Sequence, residues 1–238
     1  MRMISYAQNF EDVILNRIFK NKKSGHYIDI GAYDPIIHSV TKHFYGKGWN
    51  GINVEPLPKF YKKLKKERKQ DYNLQYVVTN KDNETKTLFY NEDIEQSSIK
   101  YKVKSNKSIK CNTISLTSLF TFYTTKFSNK LDFLKIDAEG SEPLIINNAD
   151  WYIVRPIVIV VEATKPISQK LNYTDWEFTL LQNNYLFVYF DGLNRWYLSK
   201  EQEDKKKYFT APPNVFDTFV KYYYNYSTLL KDVKMGNK

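Results

Sequence analysis

The segment Pro156-Ile-Val-Ile-Val-Val-Glu162 narrows the choice of fold more than any other part of the chain. Its β-branched residues follow one another without a polar face. A strand of that kind is covered on both sides, as the strands of a parallel sheet are. Parallel neighbours need a crossover between them, usually a helix. The rest of the chain supplies that alternation. Runs at 26–30, 51–55, 74–78, 86–90, 131–137 and 185–190 read as further strands. Between them, apolar residues recur at helical spacing. Ile37, Val40, Phe44 and Tyr45 form one set, with Asp34 as N-cap and Pro35 at the first helical position. Leu57, Phe60, Tyr61 and Leu64 form a second, opposite a lysine-rich face. A helix begins at Leu116, a short one follows Ser141, and another follows Asp175. Asp191-Gly192 is hairpin chemistry, so 195–198 should run antiparallel to 185–190. The fold class is α/β, a doubly wound Rossmann-like sheet whose last strand is antiparallel.

The chain has 238 residues, suited to one domain over 1–238. Residues 1–25 would cap it; within 5–20, Phe10, Val13, Ile14 and Ile18 share a helical face. Residues 91–112 read as a loop or an inserted hairpin. Residues 200–238 read as a C-terminal extension, helical near 216–230. The longest apolar run, 156–161, is far short of the roughly 20 residues of a membrane span. The first residues show no apolar signal-peptide core, so a cytoplasmic protein is expected. Cys111 is the sole cysteine, which excludes an internal disulfide and a cysteine zinc cluster. A buried, inert thiol is expected. The net charge of +10 rests on lysine, with arginine only at 2, 17, 68, 155 and 195. Nucleic-acid readers favour arginine for bidentate contacts, so solvated lysine is the better reading.

Four predicted strands end in an acid: Asp29, Glu55, Asp137 and Glu162. In a doubly wound sheet, ligands bind at the carboxyl ends of the strands. Four carboxylates along that edge mark a site. The first is followed by a turn with a single glycine, Gly31, and by Asp34. A dinucleotide turn needs Gly-x-Gly-x-x-Gly, so that backbone can approach a pyrophosphate, and carboxylates repel one. The acids suit a cationic or zwitterionic ligand. Glu55 stands at the distance from the turn at which an acid grips both hydroxyls of a ribose. A ribose, an ammonium and a sulfonium without phosphate describe S-adenosylmethionine, with a nicotinamide cofactor as the alternative.

The ordered set YIDIGAYDP, HSVTKHFYGKGWNGINVEP, FLKIDAEGSE and VIVVEAT resembles the FkbM-type methyltransferases. YAQNFEDVIL, FVYFDGLNRWYL and PPNVFD resemble one bacterial branch of that family, whose genes commonly accompany surface-polysaccharide synthesis. The resemblance implies the seven-stranded sheet of class I methyltransferases, S-adenosylmethionine as donor, and O-methylation of hydroxyls on sugars and other secondary metabolites. Carried over by position, Asp29, Gly31 and Ala32 line the methionine end and Glu55 the ribose. Thr79 and Asn80 lie near the adenine, and Ser39, Pro56 and Asp137 complete the donor site. Asp137, Glu139 and Gly140 form the motif after the fourth strand. His38 stands where this branch often has an acid, which leaves its role open.

A sugar hydroxyl is a poor nucleophile until its proton leaves, so a base or a metal must assist. Asp137, with Glu139 beside it, is the candidate base. Crowded carboxylates raise one pKa or bind a cation, so a divalent ion (Mg²⁺ or Mn²⁺) on Asp137 and Glu162 is the second option. Tyr6, Gln8 and Asn9 are candidates for a lid, and Asp191, Asn194 and Arg195 for acceptor contacts. Trp49, Trp151 and Trp196 either stack on a sugar or fill the core. The expected partner is a sugar or nucleotide-sugar acceptor, and homo-oligomerisation stays open. Two other functions remain on the page: an RNA methyltransferase, and a catalytically inactive scaffold that binds the cofactor.

Overall fold

A computed structural model describes residues 2–91, 96–98, 107–127, 130–165 and 168–222. In chain order the strands of the main sheet are β2 (His26–Ile30), β3 (Asn50–Val54), β4 (Tyr72–Leu74), β9 (Phe133–Ile136), β10 (Val158–Glu162), β11 (Tyr185–Phe190) and β12 (Asn194–Ser199). They lie in the order β11-β12-β10-β9-β2-β3-β4. Pairs from β10 to β4 are parallel, and β12 runs antiparallel to both β10 and β11. This is the seven-stranded, mostly parallel mixed sheet that the resemblance implies, antiparallel only near one end. The chain leaves β2 toward β3 and leaves β9 toward β10. The order therefore reverses between β2 and β9, the place where doubly wound sheets open a crevice.

The alternation of side chains sorts the core into two faces. Ile28, Ile30, Leu134, Ile136, Ile159 and Val161 pack on one side with Leu119 and Phe120 of α4 (Leu116–Lys126). Tyr27, Phe133, Val158 and Val160 pack on the other with Ile14, Leu15, Ile18 and Phe19 of α1 (Glu11–Phe19). Trp49, Trp151, Trp176 and Trp196 are all buried in these cores. None of them offers a sugar-stacking face. Cys111 is also buried, as expected of an inert thiol.

Several sequence expectations change. The stretch 74–78 is not one strand. It divides into β4 and β5 (Val77–Thr79), and β5 joins a second sheet of order β5-β8-β6-β7. There β6 spans Thr85–Asn91, β7 Gln96–Ser98 and β8 Lys107–Ser115. Cys111, Thr113 and Ser115 alternate inward along β8, although its polar composition reads as a loop. Of the stretch 91–112, residues 92–95 and 99–106 lie outside the described residues.

The helix foreseen from Asp34 shrinks to α2 (Lys42–Gly46). Asp34 instead closes an Asx-type turn, its Oδ1 accepting from the amides of Ile36 and Ile37 at 3.0 and 3.1 Å. Neither Ser141 nor Asp175 caps the helix after it; α5 (Glu142–Ile146) has no side-chain cap, and α6 (Glu177–Gln182) starts behind Trp176. The helix α3 (Pro58–Glu67) keeps its Pro at the start and its apolar stripe, Phe60 and Leu64. The expected helix near 216–230 is absent from its described part. Val215–Asp217 is a 3₁₀ turn, and β13 (Phe219–Lys221) pairs in parallel with β1 (Met3–Ser5). Residues 223–238 lie outside the described residues. Among the described residues, no helix is long and apolar enough to cross a membrane.

Candidate active site

Two turns at neighbouring strand ends make the site. After β2 the chain turns at Gly31, with φ +75°. The amides of Gly31 and Ala32 donate to the carbonyl of Val54 at 3.0 and 3.2 Å, which brings the turn onto the end of β3. A Cβ on Gly31 would stand 2.0 Å from the carbonyl oxygen of Asp137. No other residue fits there. The missing side chain lets the turn after β2 touch the turn after β9.

Asp29 and Lys135 are register partners on β2 and β9. The Lys135 ammonium donates to the Gly31 carbonyl at 2.9 Å and pairs with Asp29 at 3.6 Å and Asp137 at 3.2 Å. Burial alone pushes an ammonium toward neutrality, but Asp137 and Asp29 outweigh it and raise the Lys135 pKa. Burial also raises Asp29, against the pull of Lys135 and Arg68. Asp29 accepts from Thr41 at 3.3 Å through Oδ2, while its buried Oδ1 has no hydrogen-bond partner among the described residues. Lys135 is the central residue that sequence reasoning passed over. A lone lysine in an apolar strand was its signal, because a charge on a covered strand requires partners.

Glu55 ends β3 in the same cleft. Its carboxylate accepts from the amides of Tyr33 at 2.9 Å and Leu57 at 2.8 Å. Burial raises its pKa to about 7, opposed by those two amides. Glu55 thus braces two loops before it meets any ligand; each carboxylate oxygen keeps a further lone pair for a hydroxyl. Around it the cleft is lined by Ile30, Gly31, Pro56, Tyr76, Val77, Val78 and Leu88, and by Asp137, Ala138, Glu139 and Ser141. The enclosed part is about 60 Å³, below the roughly 300 Å³ at which ligand pockets begin. A nucleoside enters only as these side chains give way.

The second turn, Asp137-Ala-Glu-Gly-Ser-Glu142, is held by its own last residue. Glu142 Oε1 accepts from the amides of Ala138 at 2.9 Å and Gly140 at 3.2 Å. Glu162 at the end of β10 shares a hydrogen bond with Asp137. Burial pushes Glu162 up to about 11, helped by the charges of Asp137, Glu139 and Glu142. Burial thus favours the protonated form of Glu162, and the two carboxyl groups share that proton as a pair. This bears on the expected divalent ion. Asp137 already has a cation beside it, Lys135. Among the described residues no group of three or more His, Cys, Asp or Glu is placed to hold a metal. The donor set does not fit one.

A polar cluster adjoins this site. Glu11 Oε1 accepts from Asn194 Nδ2 at 2.9 Å, and Oε2 from the Asn9 amide at 2.9 Å. Asn9 Nδ2 donates to the Asp191 carbonyl at 3.3 Å, and the Asp191 carboxylate accepts from Trp196 Nε1 at 2.7 Å. Asn194 is the register partner of Glu162. Burial, with Asp191 nearby, raises Glu11 to about 7. Asn9, Asp191 and Asn194 are thus brought together, with Glu11 as a member that the sequence did not single out.

The remaining expected residues are placed elsewhere. Arg195 points to the other face of its strand, ion-paired with Glu177 and sandwiched 3.8 Å from the ring centres of Tyr173 and Phe187. Ser39 accepts from Arg68 at 2.8 Å and does not line the cleft. Thr79 closes a turn with Lys81, and Asn80 is exposed, so Val77 and Val78 take the lining position on β5. Asp29 and Ala32 stand behind Gly31 rather than in the lining. Tyr6 stacks on Tyr222 at 4.9 Å and Gln8 is exposed. Residues 3–9 are pinned by β13, by a bridge from Ala7 to His38 and by Asn9. His38 itself is exposed.

A larger hollow of about 580 Å³ lies at the opposite end of the sheet, beside Tyr123, Phe127, Leu131 and Arg155. There strands begin rather than end. Arg155 is also engaged by Glu201 and by the carbonyls of Asn183 and Asn184. It lacks the converging acids of the first cleft.

A family model described as the methyltransferase FkbM domain matches residues 29–187. No curated protein matches the chain.

Proposed function

The chain belongs to the FkbM methyltransferase family, and from that premise we propose that it is an O-methyltransferase of sugar hydroxyls, acting on a nucleotide-linked sugar or a surface-polysaccharide unit. Family membership makes S-adenosylmethionine the donor, which supplies an electrophilic methyl group when bound. The chain's residues fit it. Gly31 lines the cleft without a side chain, Glu55 keeps lone pairs toward a ribose, and Val77 and Val78 offer an apolar wall.

The observation that carries the O-methyl reading is the placement of Asp137 in the cleft. Lys135 pairs with it at 3.2 Å and Glu162 is hydrogen-bonded to it at the rim of the cleft. Burial favours the protonated form of Glu162, and Lys135 keeps its positive charge beside Asp137. A carboxylate fixed by two neighbours can receive the proton of an incoming hydroxyl as that oxygen attacks. The fixed geometry also limits the approach to one direction, which an in-line displacement requires. Asn9, Glu11, Asp191 and Asn194 support a sugar as the acceptor, because planar amides and carboxylates pair with hydroxyls. The surface-polysaccharide setting rests on the motifs YAQNFEDVIL, FVYFDGLNRWYL and PPNVFD alone.

Asp137→Asn should keep donor affinity and fold while turnover falls at least about a hundredfold. The measurement is methyl transfer from S-adenosylmethionine to a panel of nucleotide sugars, with calorimetry of donor binding alongside. Near-normal turnover would remove Asp137 from the reaction. Absence of donor binding in the unaltered chain would sink the enzyme reading as a whole.

A further inference from the structure

The surface made by β1, β13 and the turn before it takes no part in the site above. We propose that it anchors the protein on an anionic lipid bilayer, an inference independent of which acceptor is methylated. Val215 is 86% exposed and Phe216 92%, side by side on that turn. The turn is braced, not loose. Asn214 and Asp217 form a reciprocal capping box. Arg17 donates twice to the Asp217 carboxylate, at 2.5 and 2.6 Å, and to the carbonyls of Ala211 and Pro212 at 2.6 and 2.7 Å. A guanidinium and a capping box thus hold two apolar side chains out in solvent. Beside them, Ile4 and Val220 are register partners, 40% and 42% exposed on the outer side of the ladder.

The shape and the charge select the occupant. Side chains this exposed project outward and line no groove. A protein partner would need a matching pocket, whereas the headgroup–acyl boundary accepts an apolar tip of any outline. Cations flank the ladder. Arg2 and Lys221 are exposed at the strand ends. Lys47 lies beside His43, whose ring bonds the Ile4 backbone. The turn's own carboxylate, Asp217, is neutralised by Arg17. Cations around an apolar tip complement anionic headgroups and reach them by extending their stems. The formal net charge of +10 acts in the same direction.

The test mixes the full chain with vesicles of phosphatidylcholine containing phosphatidylglycerol, or of phosphatidylcholine alone, at about 0.1 M salt. Sedimentation with the anionic vesicles and little with the neutral ones is expected. Val215→Ser combined with Phe216→Ser leaves Asn214 and Asp217 in place. It should cut partitioning at least about tenfold with an unchanged melting curve; Phe216→Ser alone serves if the pair melts early. Three results would overturn the proposal. One is no sedimentation with anionic vesicles. Another is a serine variant that binds as the unaltered chain does, which would be adsorption by lysine alone. The last is self-association that the serine variant abolishes while vesicles bring nothing down, which would assign the surface to a second copy of the chain.

Discussion

The turns after β2 and β9 look alike in sequence and differ in what they require. Each follows a covered strand, has an acid next to the strand's last residue and bends at a glycine with positive φ, +75° at Gly31 and +92° at Gly140. Around Gly31 a Cβ has no room, because the Asp137 carbonyl is already there. Around Gly140 a Cβ would meet nothing within 4 Å. Gly31 is thus demanded by packing between turns and Gly140 by backbone conformation alone. The first turn is a wall and the second a mount. Gly31 brings backbone against backbone and presents little chemistry, while Asp137 and Glu139 hold acids over the cleft on a loop tied by Glu142. Lys135 joins the two through the Gly31 carbonyl, Asp29 and Asp137.

The largest expected effect that tests this contrast is that of Gly31→Ala. Backbone would have to part from backbone, so the loss should exceed about 4 kcal/mol, and the melting midpoint should fall by roughly 10 °C or more. A soluble variant melting like the parent would break the comparison. Glu55→Ala comes next. It frees the buried amides of Tyr33 and Leu57, a cost of about 1–3 kcal/mol, and donor affinity measured by calorimetry should drop with it. Unchanged affinity would leave Glu55 as a brace only. Gly140→Ala should cost about 1–2 kcal/mol of left-handed strain, visible in denaturant unfolding, with donor affinity kept. A collapse as deep as that of Gly31→Ala would erase the distinction.

The smallest effect separates the polar cluster of Glu11, Asp191 and Asn194 from both turns. Glu11 has a folded pKa of about 7 against an ordinary value of 4.5. A carboxyl raised by folding adds its full stability below the unfolded pKa, and that contribution fades as pH rises through the folded one. Unaltered protein should therefore lose up to about 3 kcal/mol between pH 4.5 and 7 through this group. Glu11→Gln should show a shallower loss over that window. Parallel stability curves would mean that Glu11 is not buried as an acid.

Periodicity carried much of the fold. The β-branched run at 156–161, the apolar strands and the stripe of Leu57, Phe60 and Leu64 depend on which side of one element is apolar, and each element records that locally. The same logic failed where polar residues lie in a ladder. β8 reads as a loop because its exposed positions are Lys107, Ser108, Lys110 and Asn112, and only pairing with β6 makes it a strand. It also failed where a run serves two sheets, as 74–78 does.

For the site, the acids at strand ends and the lone Gly31 were legible, because their position after a strand is itself a sequence fact. What stands across from them was not. That Lys135 meets Asp29 follows from the register of β2 and β9, which are separated by about a hundred residues of chain. That Arg195 faces Glu177 while Asn194 faces Glu11 follows from the alternation of one strand once its sheet is known. Residue order alone determined that this chain builds a parallel-dominated sheet with carboxylates along one edge and a glycine at the first turn. Only the tertiary structure decided which partners those carboxylates meet. Burial of Glu162 and the approach of Lys135 to Asp29 and Asp137 depend on strand register, and those distances exist only in the folded chain.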